Sequence, residues 1–256
     1  AEVVLRGESV AESTEHASEE VELLEKTLTR FVREEVLPLE RAHALDWDTP
    51  PPKDLRRQVR RRSRELGLYA IDMPVEVGGA GLPFGVRCRL EMTAHSLDTV
   101  FFEDLLGGNG GPTSMLLACN EEQRRRFLAP LVAGDVTTCF ALSEAEAGSD
   151  VGALRTKAVP NDDGSWAITG SNIYISWGDH DMAENVIHLV LARTPDAPPG
   201  TKGISCFVVP KIMVNDDGSL GEPNDLKVVS VEHKMGINAS PTCTMSFGDE
   251  GGATGW

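Results

Sequence analysis

The sequence predicts an α+β protein in which an N-terminal all-helical domain is followed by a small antiparallel β-barrel domain. Up to Gly134, apolar residues recur every three or four positions, which is the period of an amphipathic helix. Beyond Gly134 the apolar period falls towards two. Helices followed by strands are typical of α+β proteins. We expect an acidic lead-in at residues 1–19, a helical domain at 20–135 and a β-barrel domain at 136–256.

The helical half is divided by proline and glycine. The first helix carries an apolar stripe and is expected to end near Pro38. Its stripe is formed by Val21, Leu24, Leu28, Phe31 and Val32. A second helix ends at Gly67, and the basic run 56–62 on it is expected to face solvent. The glycine-rich loop 73–81 is interpreted as a structural turn, because no strand-then-helix layout surrounds it. Residues 120–123 have the pattern of a capping box.

The second half reads as a series of short strands. They are predicted at 137–142, 166–169, 172–176, 186–192 and 203–209. The segments between them are rich in Asn, Asp and Gly, as at 161–164 and 215–218. This spacing suits a small antiparallel barrel, with a sandwich as the alternative.

Composition excludes several classes of function. The formal net charge of −16 argues against general nucleic-acid binding, which needs clustered Lys and Arg. The five cysteines are scattered without a C-x-x-C pair, which is typical of free thiols in a reducing compartment. We find no apolar run that could span a bilayer and no signal-peptide layout, and therefore expect a cytoplasmic protein.

The stretch Cys139 to Thr156, CFALSEAEAGSDVGALRT, offers a candidate cofactor site. A predicted strand runs into the Ser143 hydroxyl, and unpaired main-chain groups at a strand end can bind a flat ligand. Gly148 permits close approach of the backbone to that ligand. The residues alone leave open a second interpretation, in which the strand simply enters an Asx-type turn capped by Asp150.

Other polar clusters give weaker signals. Residues 178–181 combine His and Asp, but a single short turn rarely assembles a metal site without a distant ligand, so no metal is expected. His188 lies in an apolar segment and is interpreted as a structural histidine. No nucleophile elbow is present, which argues against a hydrolase.

Four segments resemble the acyl-CoA dehydrogenase family, in the family's order. Residues 140–150 are similar to its flavin-binding signature, and residues 168–176 to its Gly-x-Lys-x-Trp-Ile-Thr strand. Residues 74–82 resemble its Pro-x-x-x-Gly-Gly-x-Gly loop, and residues 120–135 match a further helical segment. Residues 177–211 look most like a bacterial branch that includes long-chain and 3-methylthiopropanoyl-CoA dehydrogenases.

The resemblance implies FAD as cofactor and assigns roles to individual residues. The cofactor-binding set that it implies is Phe140, Leu142, Ser143, Ser149, Tyr174, Ile175 and Ser176. The backbone around Phe140 and Leu142, with the Ser143 hydroxyl, would bind the pyrimidine edge of the flavin. Tyr174 would lie against the flavin face, and the Ser176 hydroxyl would reach N5. Ser149 would lie near the pyrophosphate and the pantetheine, and so contact substrate as well.

The chain departs from the family pattern at four positions. Serine replaces threonine at Ser143 and Ser176, which keeps the hydroxyl and loses a methyl group that restricts the rotamer. Tyr174 stands where the family has tryptophan, and Asn172 where it has lysine. These changes leave the predicted cradle in place, and each is expected to alter flavin affinity.

The resemblance also implies a reaction, the α,β-dehydrogenation of an acyl-CoA, with electrons passing to an electron-transferring flavoprotein. In the family the carboxylate base lies in a C-terminal helical domain, which we expect to be absent here, so the base is expected beyond Trp256 and the chain alone to be inactive. Leu106, near the family's pocket floor, favours a medium or long acyl group. The full-length form is expected to be a homodimer or homotetramer. An acyl-CoA oxidase, or a non-catalytic flavin- or CoA-binding fragment, stays open as an alternative.

Overall fold

The computed structural model describes residues 10–47, 49, 51–108, 110–236 and 240–256, with the backbone alone for 10–18. Seven α-helices precede the strands within these residues: α1 Val10–Phe31, α2 Leu37–His43, α3 Lys53–Glu65, α4 Phe84–Ser96, α5 Phe102–Leu106, α6 Glu121–Gln123 and α7 Ala129–Ala133. Because α1 begins at Val10, the second half of the predicted lead-in is helical, while residues 1–9 lie outside the described residues.

The first helical run continues past Pro38, so the predicted end there is wrong. A π-helical turn at Val32–Val36 joins α1 to α2, and the Leu37 amide donates to the Val32 carbonyl five residues back. This shift in register places Pro38 in the first turn of α2. Pro38 has no amide hydrogen to donate, and the π turn just before it shifts the hydrogen-bond register, so the helical run passes through the proline.

The basic run on α3 is not uniformly solvated, contrary to the expectation. Arg56 and Arg60 are buried, whereas Arg61 is exposed. Arg56 Nη1 lies 2.7 Å from Asp104 Oδ2, and Arg60 Nε lies 3.0 Å from Asp104 Oδ1. Spacing i, i+4 puts the two arginines on one face of the helix, and the carboxylate on α5 compensates for burying their charge.

Other predicted helical features are confirmed. Asn120 and Gln123 form a reciprocal capping box, with distances of 2.9 and 3.1 Å between amide nitrogen and side-chain oxygen. Gly67 ends the α3 segment with a φ of +71°. The loop at 73–81 is a turn, as expected. Its backbone packs so closely that a Cβ at Gly79 would lie 2.1 Å from the Met73 carbonyl oxygen, and no residue larger than glycine fits there.

The second half of the chain is built from ten strands within the described residues. These are β1 Thr137–Ala141, β2 Lys157–Pro160, β3 Trp166–Ser176, β4 Val186–Ala192, β5 Ser205–Pro210, β6 Ile212–Val214, β7 Leu220–Pro223, β8 Leu226–Val231, β9 Thr242–Phe247 and β10 Ala253–Gly255. One sheet has the order β1-β4-β5 and a second the order β10-β3-β9-β8, with β2 also paired to β3. The short strands β6 and β7 form a separate hairpin.

The strands form two packed sheets and not a closed barrel within the described residues. One pairing is parallel, that of β1 with β4. Apolar side chains from both sheets, including Val190, Phe207, Cys243 and Met245, form the core between them. The sheets meet at one corner, where Val208 and the last residue, Trp256, exchange backbone hydrogen bonds. The alternative architecture of a sandwich is therefore the one observed.

The helical half packs on the outer face of the β1-β4-β5 sheet. Ile187 and Leu189 of β4 point away from the sandwich core and contact Phe127 and Leu131 of the helical half in one buried cluster. Arg60 reinforces this interface, since its guanidinium donates to the carbonyls of Gly134 and Met182 at 2.9 and 2.5 Å. The helical layer thus covers β4 and leaves the far end of β1 accessible.

Candidate cofactor site

The candidate site begins at the open edge of β1. The Thr137 amide donates to Asn185, on the side of β4, whereas the Thr138 amide donates to Gly110 on the opposite side. Because residues two apart in a strand point the same way, the main-chain groups of Phe140 lie on the edge away from β4. The Phe140 side chain is 42% exposed, so an apolar ring flanks this edge. Leu142 follows β1 and is half-buried.

A β-bulge in β3 presents the second half of the site. The register between β3 and β9 shifts between Asn172 and Ile175, which leaves Ile173 and Tyr174 as the bulged residues. Tyr174 has a left-handed φ of +57° and is 65% exposed. Such a conformation costs a residue with a Cβ about 1–3 kcal/mol, and strained residues of this kind cluster at functional sites. With its ring exposed, Tyr174 is not part of the hydrophobic core.

Hydrogen bonds bring the two halves of the predicted site together. The Ile173 amide donates to the Ser143 carbonyl at 2.8 Å, and Asn172 Nδ2 approaches the same oxygen at 3.3 Å. Ser143 therefore lies beside the bulge that carries Tyr174, two residues before Ser176. Asn172 Oδ1 is buried and has no hydrogen-bond partner within the described part of the chain. Ile175, by contrast, is buried and turns its side chain into the sandwich core.

Glu144 closes the loop that follows Ser143. Its carboxylate accepts hydrogen bonds from the Arg155 amide at 2.7 Å, the Thr156 amide at 2.8 Å and the Thr156 hydroxyl at 2.7 Å. The main chains of Glu144 and Ala147 also exchange hydrogen bonds in a tight turn. Both carboxylate oxygens thus accept hydrogen bonds from the chain just beyond the loop. These bonds hold the two ends of the loop 145–154 together.

The tip of this loop is open to solvent. Gly148, Ser149 and Asp150 are all exposed. A Cβ added at Gly148 would meet no atom within 4 Å, and the residue does not have a positive φ. The fold of the described residues therefore does not require glycine here, and the open space beside it is available to a ligand. Asp150 precedes a short 3-10 turn at Val151–Ala153 without a side-chain capping bond, contrary to the capping interpretation.

Sequence reasoning missed Arg193, which fixes the far side of the loop. Its guanidinium donates to the carbonyls of Leu154 and Gly200 at 3.0 and 2.9 Å, and also to that of Gly152. A further bond of 3.0 Å reaches the Pro198 carbonyl. The residue stands just after the apolar strand β4, and only the fold shows that two distant loops converge on it.

A tight turn after β3 holds the end of the site that carries Ser176. Trp177 has a φ of +61°, its amide donates to Pro241 at 2.8 Å, and Gly178 donates back to Ile175. Ser176 itself is exposed. A Cβ at Gly178 would lie 2.9 Å from Cys243 Cβ, so the turn packs closely on β9.

The polar cluster at 178–181 is part of the same turn. Asp179 Oδ1 lies 2.5 Å from Lys211 Nζ, and His180 Nε2 lies 3.0 Å from the Thr137 hydroxyl. Burial lowers the pKa of His180 to about 4, so its ring is neutral at pH 7. Among the described residues, no group of three or more His, Cys, Asp or Glu is arranged to hold a metal ion.

Leu106 is the residue that the resemblance places near the pocket floor. It is completely buried in the helical core with Leu105 and Phe101. A groove of about 580 Å³ opens beside Gly108, and its lining includes the charged residues Arg87 and Glu91. The side chain of Leu106 does not reach that surface, so an acyl chain could touch it only if the core rearranged. Its substrate contact stays a prediction.

Comparison with known proteins identifies the family. The profiles for the N-terminal and middle domains of acyl-CoA dehydrogenases match residues 18–135 and 139–249. The chain belongs to the acyl-CoA dehydrogenase family. Over 192 residues, 75% of the chain, it is 41% identical to 3-methylmercaptopropionyl-CoA dehydrogenase of Ruegeria pomeroyi, of which it covers 32%.

Solved structures of acyl-CoA dehydrogenases share the fold. A putative acyl-CoA dehydrogenase of Mycobacterium smegmatis superposes with a TM-score of 0.68 at 29% identity, over 89% of this chain and 54% of that one. An acyl-CoA dehydrogenase of Bacillus anthracis complexed with FAD gives a TM-score of 0.64 at 24% identity, over 92% of this chain and 36% of that one. The chain thus spans between a third and about half of the length of these relatives.

Proposed function

We propose that the chain forms the helical and middle portions of an FAD-dependent acyl-CoA dehydrogenase. The observation that carries the proposal is the bond from the Ile173 amide to the Ser143 carbonyl, which joins the edge of β1 to the strained bulge at Tyr174. The residues present fit a flavin in three respects. They offer a free strand edge, two exposed aromatic rings at Phe140 and Tyr174, and open space at Gly148.

FAD would supply the acceptor for a hydride from the substrate β-carbon while a base removes the α-proton, which turns an acyl-CoA into its α,β-unsaturated thioester. The chain's own residues would bind and orient the reactants. The edge amides at Phe140 and Leu142 and the Ser143 hydroxyl would donate to the pyrimidine edge, where they stabilise negative charge. Tyr174 would pack on the ring, and the exposed Ser176 hydroxyl would donate towards N5.

The general base of this reaction is not Glu144. Both of its oxygens accept hydrogen bonds from Arg155 and Thr156, and a general base must instead reach the substrate proton. We infer that the base is a carboxylate outside the flavin motif. Electrons would leave through an electron-transferring flavoprotein, and the full-length protein would be a homodimer or homotetramer.

The Ser149 side chain is exposed at the loop tip, where it is free to contact both the pyrophosphate of FAD and the pantetheine of an acyl-CoA. Within the described residues, no helix is both long and apolar enough to cross a bilayer.

The proposal is tested by titrating the chain with FAD and following flavin fluorescence and the visible absorption band. Tyr174→Ala should weaken FAD binding about tenfold or more, since aromatic packing on a flat ring contributes roughly 1–3 kcal/mol. Val229→Ala is the matched control, because Val229 is also an exposed strand residue, at 60% exposure, on β8. Equal FAD affinity of the two variants would contradict the proposed site. After photoreduction, slow reoxidation by air supports a dehydrogenase, and fast reoxidation an oxidase.

A further inference from the structure

His188 occupies a position that the proposed reaction does not yet use. It is completely buried in β4 and faces the space between the two sheets. Its Nε2 lies 2.7 Å from the Gly178 carbonyl oxygen, and its Nδ1 lies 3.1 Å from the Val209 carbonyl oxygen. Val209 is its neighbour on β5 of the same sheet, whereas Gly178 belongs to the turn after β3 in the opposite sheet. The ring therefore bridges the sandwich.

The two contacts cannot both be hydrogen bonds of a neutral imidazole, which has one N–H. Carbonyl oxygens only accept, and burial lowers the pKa of His188. The charged groups facing the ring are Asp179 and Lys211, which are paired with each other, and Phe247 packs edge-on at 5.6 Å. The shorter contact, 2.7 Å, assigns the proton to Nε2. His188 therefore donates to Gly178 across the sandwich.

The Gly178 carbonyl lies two residues beyond Ser176, at the point where β3 turns away from the site. The side-chain contacts of Asp179 with Lys211 and of His180 with Thr137 lie further along the turn. The main chain at Trp177 and Gly178 is held through the two amides, by Pro241 and Ile175, and His188 adds the bond to the Gly178 carbonyl. The geometry of the turn is tight, with a left-handed Trp177 and no room for a side chain at Gly178. Loss of the hydrogen bond at this carbonyl would thus change the position of Ser176, which lies at the start of the turn.

We propose that His188 is a positioning residue that fixes the Ser176 hydroxyl through its bond to the Gly178 carbonyl. The inference rests on the proposed flavin site, in which Ser176 faces N5. It gives this buried histidine a task that depends on one ring nitrogen.

The two ring nitrogens can be separated by substitution. His188→Gln places an amide nitrogen where Nε2 stands and can still donate to Gly178, whereas His188→Asn places its amide nitrogen near Nδ1 and can reach only Val209. His188→Phe keeps the ring and loses both bonds. The first measurement is amide hydrogen exchange without FAD. We expect Asn and Phe to raise exchange at Trp177 and Gly178 about tenfold, and Gln to raise it less than about threefold.

The second measurement is FAD affinity in the same three variants. We expect Kd to rise about tenfold in His188→Asn and His188→Phe, with His188→Gln restoring it to within about threefold of the parent chain. Equal affinities of the Gln and Asn variants, with folding intact by circular dichroism, would show that His188 is structural only. If the parent chain binds no FAD, the proposed function fails while the exchange pattern still reports on the bond. Unchanged exchange at the turn in the Asn variant overturns the inference by itself.

Discussion

The hydrogen bonds that the Glu144 carboxylate accepts from Arg155 and Thr156 give the sharpest test of how the loop 145–154 is held. In Glu144→Gln the amide oxygen can still accept from Thr156, but the new amide nitrogen faces the Arg155 amide, where one carboxylate oxygen accepted at 2.7 Å. One bond to a charged acceptor is lost, which costs about 1.5–3 kcal/mol, and those to Thr156 become neutral and weaker. We therefore expect the free energy of unfolding to fall by about 2–3 kcal/mol.

The measurement is urea unfolding of the chain, together with limited proteolysis of residues 145–155. The control is Glu146→Gln on the same loop, whose carboxylate pairs with Arg155 at 2.7 Å while both side chains are largely exposed. An exposed pair contributes roughly 0–1 kcal/mol, so this variant should be close to the parent. If the two variants have the same free energy of unfolding, or if the loop of Glu144→Gln resists protease as the parent does, the Glu144 carboxylate does not hold the loop in place.

Three further predictions follow from burial and open space. Burial lowers the pKa of His180 from 6.5 to about 4, so the unfolded chain takes up this proton at a higher pH than the folded chain does. The contribution of His180 to the free energy of unfolding should be constant above pH 6.5 and fall by up to roughly 3 kcal/mol towards pH 4. In urea unfolding, His180→Asn should flatten that decline. Arg60→Leu should destabilise the chain by about 3 kcal/mol or more in the same assay because it breaks a buried ion pair, whereas Arg61→Leu on the exposed face should change stability by less than about 0.5 kcal/mol. Gly148→Val should leave the thermal midpoint unchanged, since a Cβ there meets nothing, and should weaken FAD binding measured by fluorescence; a stability loss with unchanged affinity would contradict this.

Local features of this fold were predictable from the sequence, and the reason is that their causes are local. The capping box at Asn120 needs only a residue three positions on, and Gly67 ends a helix through its own φ. The strands β1 and β4 lie where the sequence has short runs rich in β-branched and other apolar residues. The two predicted segments around Gly170 proved to be one strand, because Gly170 and Ser171 pair regularly with Phe247 and Ser246 of β9.

The features that sequence reasoning missed depend on distant partners. Arg56 and Arg60 look like surface residues until Asp104 is known to face them from another helix. The parallel pairing of β1 with β4 joins segments about 50 residues apart, and alternation predicts a strand but not its neighbour. For this reason the sequence could not separate a barrel from a sandwich.

The candidate site was placed by resemblance, and its geometry came from the fold. The residues alone left open whether the stretch after Phe140 is a cofactor site or an Asx-type turn capped by Asp150. The bulge exposes Tyr174, and the bond between Ile173 and Ser143 joins two segments about 30 residues apart. Arg193 and His188 could be recognised only once the carbonyls around them were located.

The most direct test of the central claim is to map FAD onto the chain by amide chemical shifts. Isotope-labelled protein is titrated with FAD, and shifts are followed for every assigned backbone amide. The account predicts that the largest shifts fall in two segments, 140–149 and 173–178, and that the groove beside Gly108 is unaffected. Shifts confined to the groove or scattered over the surface, with these two segments unchanged, would contradict the account.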